Sequence, residues 1–180
     1  MEKLLSLRAE PSTANGSLSA MGILVTHLDA AYNLARWLLR DKTEAEDAVQ
    51  EAYLRAFHHF ESFRGGDGRA WLLTIVRNHC YDRRKERAIF THGIFEGQAH
   101  VPDKIPNPES ALLQRERTEQ VRRAFENLPT HLREVLALRE LEDMSYNQIA
   151  TVTRIPLGTV MSRLSRARQQ LRQMISLGRE

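Results

Sequence analysis

Between Met144 and Arg179 the chain contains no aspartate or glutamate, yet Arg154, Arg163, Arg166, Arg168, Arg172 and Arg179 all fall there. The breakers in this stretch constrain the fold more tightly than any other feature. Ser145 and Gln148 form a capping-box pair that opens a short helix through Val152, and Thr153 to Ile155 supply the turn. Pro156 fixes φ for the first turn of a second helix, which nothing after Gly158 interrupts before Gly178. Two helices around a tight turn define a helix-turn-helix. On the second helix Val160, Leu164, Ala167, Leu171 and Met174 recur at helical spacing and face inward. Ser162, Ser165, Arg166, Gln169 and Gln173 then face outward. Serine, arginine and glutamine hydrogen-bond base edges in the major groove, while Arg163, Arg168 and Arg172 on the flanks are placed for phosphates. Charge alone fits a solvated amphipathic helix equally well. Cap, turn and polarity together favour DNA.

Elsewhere few segments alternate with period two, so an all-α chain is expected. Its 180 residues suffice for one medium or two small domains. A net charge of +3 is only mildly basic, so nucleic-acid binding must rest on where the charges sit. The single cysteine, Cys80, excludes an intramolecular disulfide framework and an all-cysteine zinc site, and fits a reducing cytoplasm. Met1 to Leu7 is too short an apolar run for a secretory signal, and no stretch is apolar enough to span a bilayer. A soluble, cytoplasmic protein is expected.

Glu10 to Ala20 is a small, polar lead-in. From Gly22 to Leu39 the apolar period includes Leu24, Leu28, Ala31, Leu34, Ala35 and Leu38, a core helix. Asp41-Lys42-Thr43-Glu44 ends it and starts another, with Thr43 as the expected N-cap. The helix from Glu44 to Phe60 turns Val49, Ala52, Tyr53, Ala56 and Phe60 to one side, and Asp47, Gln50, Glu51 and Leu54 to the other. That second face fits either a solvated acidic surface or a basic helical partner, with the leucine giving apolar area and the acids steering. No histidine or third acid completes a metal or acid-base site there.

Glu61 to Arg69 is a glycine-rich loop without the lysine ending of a phosphate-binding loop. With Phe63, Arg64 and Arg69 it fits a loop that wraps one extruded base against a ring. Ala70 to Arg87 reads as a helix with Leu72, Ile75, Val76 and His79 inward and Arg77, Asn78, Tyr81, Arg84 and Lys85 outward. Such a face suits melted DNA, although a basic C-terminus complementing its own dipole is the alternative. Trp71 reads as core, and His58, His59, His92 and His100 lack partners at metal-ligand spacing. Ala88 to Pro108 has no period and ends in Pro102, Pro106 and Pro108, a linker. Ser110 then caps a helix carrying Leu112, Leu113, Val121 and Phe125, and Leu128-Pro129 opens another through Leu141. Two basic faces on separate domains predict contact with two separated DNA sites.

The motifs A-E-D-A-V-Q-E-A-Y-L-R-A-F at Ala45, W-L-L-T-I-V-R-N-H-C-Y-D at Trp71, L-P-T-H-L-R-E-V-L-A-L-R-E at Leu128, S-Y-N-Q-I-A at Ser145 and G-T-V-M-S-R-L-S-R-A-R at Gly158 occur in that order. Together they resemble the extracytoplasmic-function (ECF) sigma factors of bacterial RNA polymerase. The resemblance implies two small helical domains joined by a flexible linker, the C-terminal one containing the helix-turn-helix. Residues 22–90 would be the core-binding and minus-ten domain, 91–109 the linker and 110–180 the minus-thirty-five domain, after a lead-in over 1–21. It implies that Asp47, Gln50, Glu51 and Leu54 dock on the β′ clamp helices of core polymerase. Phe63, Arg64, Arg77, Asn78, Tyr81, Arg84 and Lys85 would melt and hold the minus-ten strand, and Thr159, Ser162, Arg163, Ser165, Arg166 and Gln169 would read the minus-thirty-five element. The β flap of the polymerase and an anti-sigma factor are further implied partners, with no cofactor, metal or catalytic residue. Met161 stands where the family usually carries Lys or Arg, and Gln148 where it carries Glu. The competing readings are a dimeric regulator on a palindromic site and a helical adaptor that binds only proteins.

Overall fold

The computed structural model describes residues 22–90 and 110–177, and every regular element among them is helical. A helical turn over residues 22–26 breaks at His27 and leads into α1 (Leu28–Leu39). The break shifts the phase of the apolar stripe: Leu24, Leu34 and Leu38 are buried as expected, but Leu28 is 48% exposed. Arg40, left-handed at φ 64°, closes α1 by donating its N–H to Arg36 O at 3.0 Å. The chain then enters α2 (Lys42–His58), whose cap is Asp41 rather than Thr43. So tight a reversal leaves one residue in extended backbone before the helix, and Asp41 Oδ1 accepts the Glu44 N–H at 2.8 Å. Thr43 already lies inside the first turn.

A 3-10 turn (Phe60–Ser62) and the glycine loop connect α2 to α3 (Gly68–Phe90). Gly65 and Gly66 take φ of 84° and 96°, a region that side-chain-bearing residues rarely enter. Asp67 then accepts the Ala70 N–H at 2.9 Å and starts α3 two residues before the expected Ala70. At its other end α3 runs past Ala88, where the linker was expected to begin. A Cβ on Gly68 would lie 2.8 Å from Ile23 Cδ1, so the missing side chain is what lets residues 22–26 pack on the start of α3. Ala31, Ala35, Ala45, Ala48 and Ala52 are all fully buried, and such small side chains let α1 and α2 approach closely.

The second unit comprises α4 (Ser110–Glu126), α5 (Thr130–Glu140), α6 (Tyr146–Thr153) and α7 (Leu157–Leu177). Leu128, Leu132, Leu136, Ile149, Val160 and Leu164 fill its centre. Arg133, fully buried, bridges the corner between α4 and α5 by donating to Glu126 O at 2.6 Å and Leu128 O at 3.1 Å. Phe125 is buried, whereas Val121 is 44% exposed. The side chains of Leu112 and Leu113, the lead-in, the linker over 91–109, and His92 and His100 lie outside the described residues.

The two units are not held apart. α1 packs on α5 and α3 packs on α6. Trp37 meets Phe125 with ring centroids 4.5 Å apart, which joins the two cores. An aromatic pair of this kind contributes roughly 0.5–1.5 kcal/mol beyond its area.

Candidate nucleic-acid interface

The capping box at the head of α6 is complete: Gln148 N–H donates to Ser145 Oγ at 3.2 Å and Ser145 N–H to Gln148 Oε1 at 2.8 Å. Arg154 turns the chain in the left-handed region at φ 54°, and Pro156 O accepts the Thr159 and Val160 N–H groups that open α7. Ser162, Ser165, Arg166 and Gln169 are exposed on α7, while Thr159 and Arg163 are half-buried beside them. Met161 is 52% exposed on the same helix. Arg168, expected at a phosphate, pairs with the exposed Glu140 at 2.7 Å. Burial lowers the His131 imidazole below its ordinary value, and the positive field of Arg163 and Arg166 adds to this. The end of α5 therefore sits in a cationic field that favours an anionic ligand.

On α3 the expected strand-binding side chains are not equally available. Lys85 is exposed, as is Arg64 in the preceding loop, whereas Asn78 and Arg84 are half-buried. Arg84 donates to Leu38 O at 2.9 Å. Phe63 sits 5.6 Å from Phe60 and 5.1 Å from Trp71, centroid to centroid, so it forms one wall of a ring cluster. Arg77 stacks over Tyr81 at 4.5 Å and bonds through Nε to the fully buried Glu134 of α5. Tyr81 donates to the second oxygen of the same carboxylate at 3.1 Å. Burial, then the Glu134 charge, push the Tyr81 phenol up to about 12. Burial also raises Glu134 above the ordinary carboxylate range, against the opposing pull of Arg77 and Tyr81.

The acidic face of α2 is preassembled. Asp47, Gln50, Glu51 and Leu54 are all exposed on one stripe, with Leu54 at 62%. From α3, Arg83 reaches Glu51 at 2.7 Å, and His79 Nε2 lies 3.0 Å from the other Glu51 oxygen. The hydrogen bond from Arg83 holds Glu51 below the usual carboxylate range. Among the described residues no cluster of histidine, cysteine and carboxylates could hold a metal ion.

Sequence reasoning missed Glu134, Glu142 and Asn33, and placed Arg69 in the glycine loop without its carboxylate partner. Glu142 is buried and accepts from Asn33 at 3.0 Å and from Arg69. The one available signal was for Glu142, which with Asp143 closes the acidic stretch just before the acid-free one.

The fold and its faces define a helical DNA-binding protein with a second, protein-directed surface. The Sigma-70 region 2 family model matches residues 23–89 and the Sigma-70, region 4 model matches residues 118–171, so the chain belongs to the sigma-70 family, as an ECF-type sigma factor. It is 37% identical over 147 residues to the RNA polymerase sigma-H factor of Pseudomonas aeruginosa, covering 74% of each chain. To the ECF RNA polymerase sigma-E factor of Escherichia coli it is 36% identical over 139 residues, 71% of this chain and 72% of that one. ECF RNA polymerase sigma factor SigE of Mycolicibacterium smegmatis is 32% identical over 151 residues, 83% of this chain but 59% of that protein, so the match spans less than two thirds of this relative's length. Among solved structures, the sigma factor RpoE in complex with the anti-sigma factor NepR from Bartonella quintana superposes with a TM-score of 0.70 at 26% identity, over 90% of this chain and 97% of that one. CnrH in complex with the cytosolic domain of CnrY shares the fold, with a TM-score of 0.64 at 23% identity over 91% and 94% of the two chains.

Proposed function

We propose that the chain acts as a dissociable promoter-specificity subunit of RNA polymerase, with its labour divided between three faces. Asp47, Gln50, Glu51 and Leu54 dock on the β′ clamp helices. Phe63 and Arg64 help form a pocket for a flipped non-template base, Asn78 meets a base edge, and Arg77, Tyr81, Arg84 and Lys85 hold the strand. Thr159, Ser162, Arg163, Ser165, Arg166 and Gln169 read the minus-thirty-five duplex, and the second unit also meets the β flap. The observation that carries this reading is the pairing, in one chain, of an exposed carboxylate-leucine stripe on α2 with an acid-free recognition face on α7.

The chain supplies binding rather than catalysis, and works in the cytoplasm beside the polymerase. Among the described residues no helix is long and apolar enough to cross a membrane. Control by an anti-sigma factor is part of the proposal, because the RpoE structure it superposes on is bound to one. Run-off transcription with core polymerase over a genomic fragment library tests the reading. Discrete transcripts sharing one two-part motif are expected, and transcripts no different from core polymerase alone would refute it.

A further inference from the structure

The outer face of α7 is not chemically uniform. Val160, Leu164 and Ala167 point into the core, and Ser162, Ser165, Arg166 and Gln169 are exposed with groups that hydrogen-bond. Leu157 and Met161, one turn apart, form an apolar edge to that face and are 43% and 52% exposed. Neither belongs to the core cluster of the second unit. Leu157 is the first residue of α7, and the N-terminal residues of a recognition helix are the ones that meet base edges. Gly158 lies between them in sequence, and a Cβ added there would meet no atom within 4 Å. The chain itself therefore leaves this space open, and a glycine in a first turn lets a partner come close to the backbone.

A thioether carries no charge and donates no hydrogen bond, so Met161 offers nothing to a phosphate and little to a polar base edge. The major groove presents one apolar group, the C5 methyl of thymine. Exposed apolar residues are common singly, but these two are neighbours at the reading end of the helix, beside an open glycine. We propose that Met161 is a specificity residue of the duplex reader, packing its thioether, with Leu157 beside it, on the C5 methyl of one thymine in the minus-thirty-five element. The neighbouring Ser162, Ser165 and Arg166 then read polar edges, while this edge of the helix reads a methyl.

The proposal deepens the assignment of α7 to that element and rests on it, and the experiment separates the two. Core polymerase carrying the wild-type chain, Met161→Ala, Met161→Leu or Arg166→Ala is titrated with promoter duplexes in which each thymine of the element, on either strand, is replaced in turn by deoxyuridine. The replacement removes the methyl and leaves the base pairing unchanged. Wild type is expected to lose roughly fourfold in affinity at one position, the worth of one buried methyl. Met161→Ala should lose a similar factor on the thymine duplex and be indifferent to deoxyuridine at that position, while Met161→Leu should restore the response. The substituted side chain is exposed, so Val160 and Leu164 stay packed in every variant. A scan with no sensitive position overturns the proposal, as does an element without thymine on either strand. So does a deoxyuridine loss that persists undiminished in Met161→Ala, because another residue then reads the methyl. If Arg166→Ala weakens binding while the scan is flat, the assignment of α7 stands and the methyl contact falls. If neither Arg166→Ala nor Met161→Ala changes binding to any duplex, the assignment itself falls and the proposal with it.

Discussion

Replacing Leu54 with alanine tests the docking face of α2 with the least ambiguity. The side chain is 62% exposed in the free chain, so most of its area remains to be buried by a partner. Full burial of a leucine side chain contributes about 1.5–3 kcal/mol, and the exposed share of that is about 1–2 kcal/mol. Leu54→Ala should therefore weaken binding to core polymerase by roughly 5- to 30-fold at 25 °C. Stability of the free chain should shift by no more than about 0.5 kcal/mol, since the site is on the surface. Competition of labelled and unlabelled chain for core polymerase gives the affinity, and urea unfolding gives the stability. The loss should persist at high salt, whereas that from Asp47→Ala with Glu51→Ala should shrink as ions screen the carboxylates. Core affinity within twofold of wild type, in a variant of unchanged stability, would refute the docking assignment.

Other consequences are more local. Arg166→Ala should weaken promoter binding by about 1–3 kcal/mol with the loss confined to one base position, read by a panel of single-base variants in the minus-thirty-five element; equal loss on every sequence would make it a phosphate contact. Arg133→Met should destabilise the second unit by about 1–3 kcal/mol in urea, because it leaves the buried Leu128 carbonyl without its donor and Glu126 O with Arg40 alone. Burial, with Arg55 next in size, keeps the His79 imidazole below its ordinary value of 6.5, so its contribution to stability is complete above that pH and is lost as pH falls through the lowered value. Urea midpoints should accordingly drop as pH falls below about 6.5 and drop less in His79→Gln, while equal slopes would remove His79 from the account.

The helix-turn-helix was legible because its determinants are local. Ser145 and Gln148 are three residues apart, Pro156 opens the next helix, and the inward period of α7 falls within five turns of one helix. The stripe on α2 was legible for the same reason, but its engagement with Arg83 and His79 was not, since both arrive from another helix. The Asp41 cap was missed because Asp41 and Thr43 are both good caps, and the choice was made by the left-handed turn at Arg40. Periodicity correctly placed Arg77 and Tyr81 on the side of α3 away from its own core. It could not show what meets that side, because Glu134 lies 57 residues beyond Arg77. A helix face that is outward for one unit is inward once a second unit packs on it.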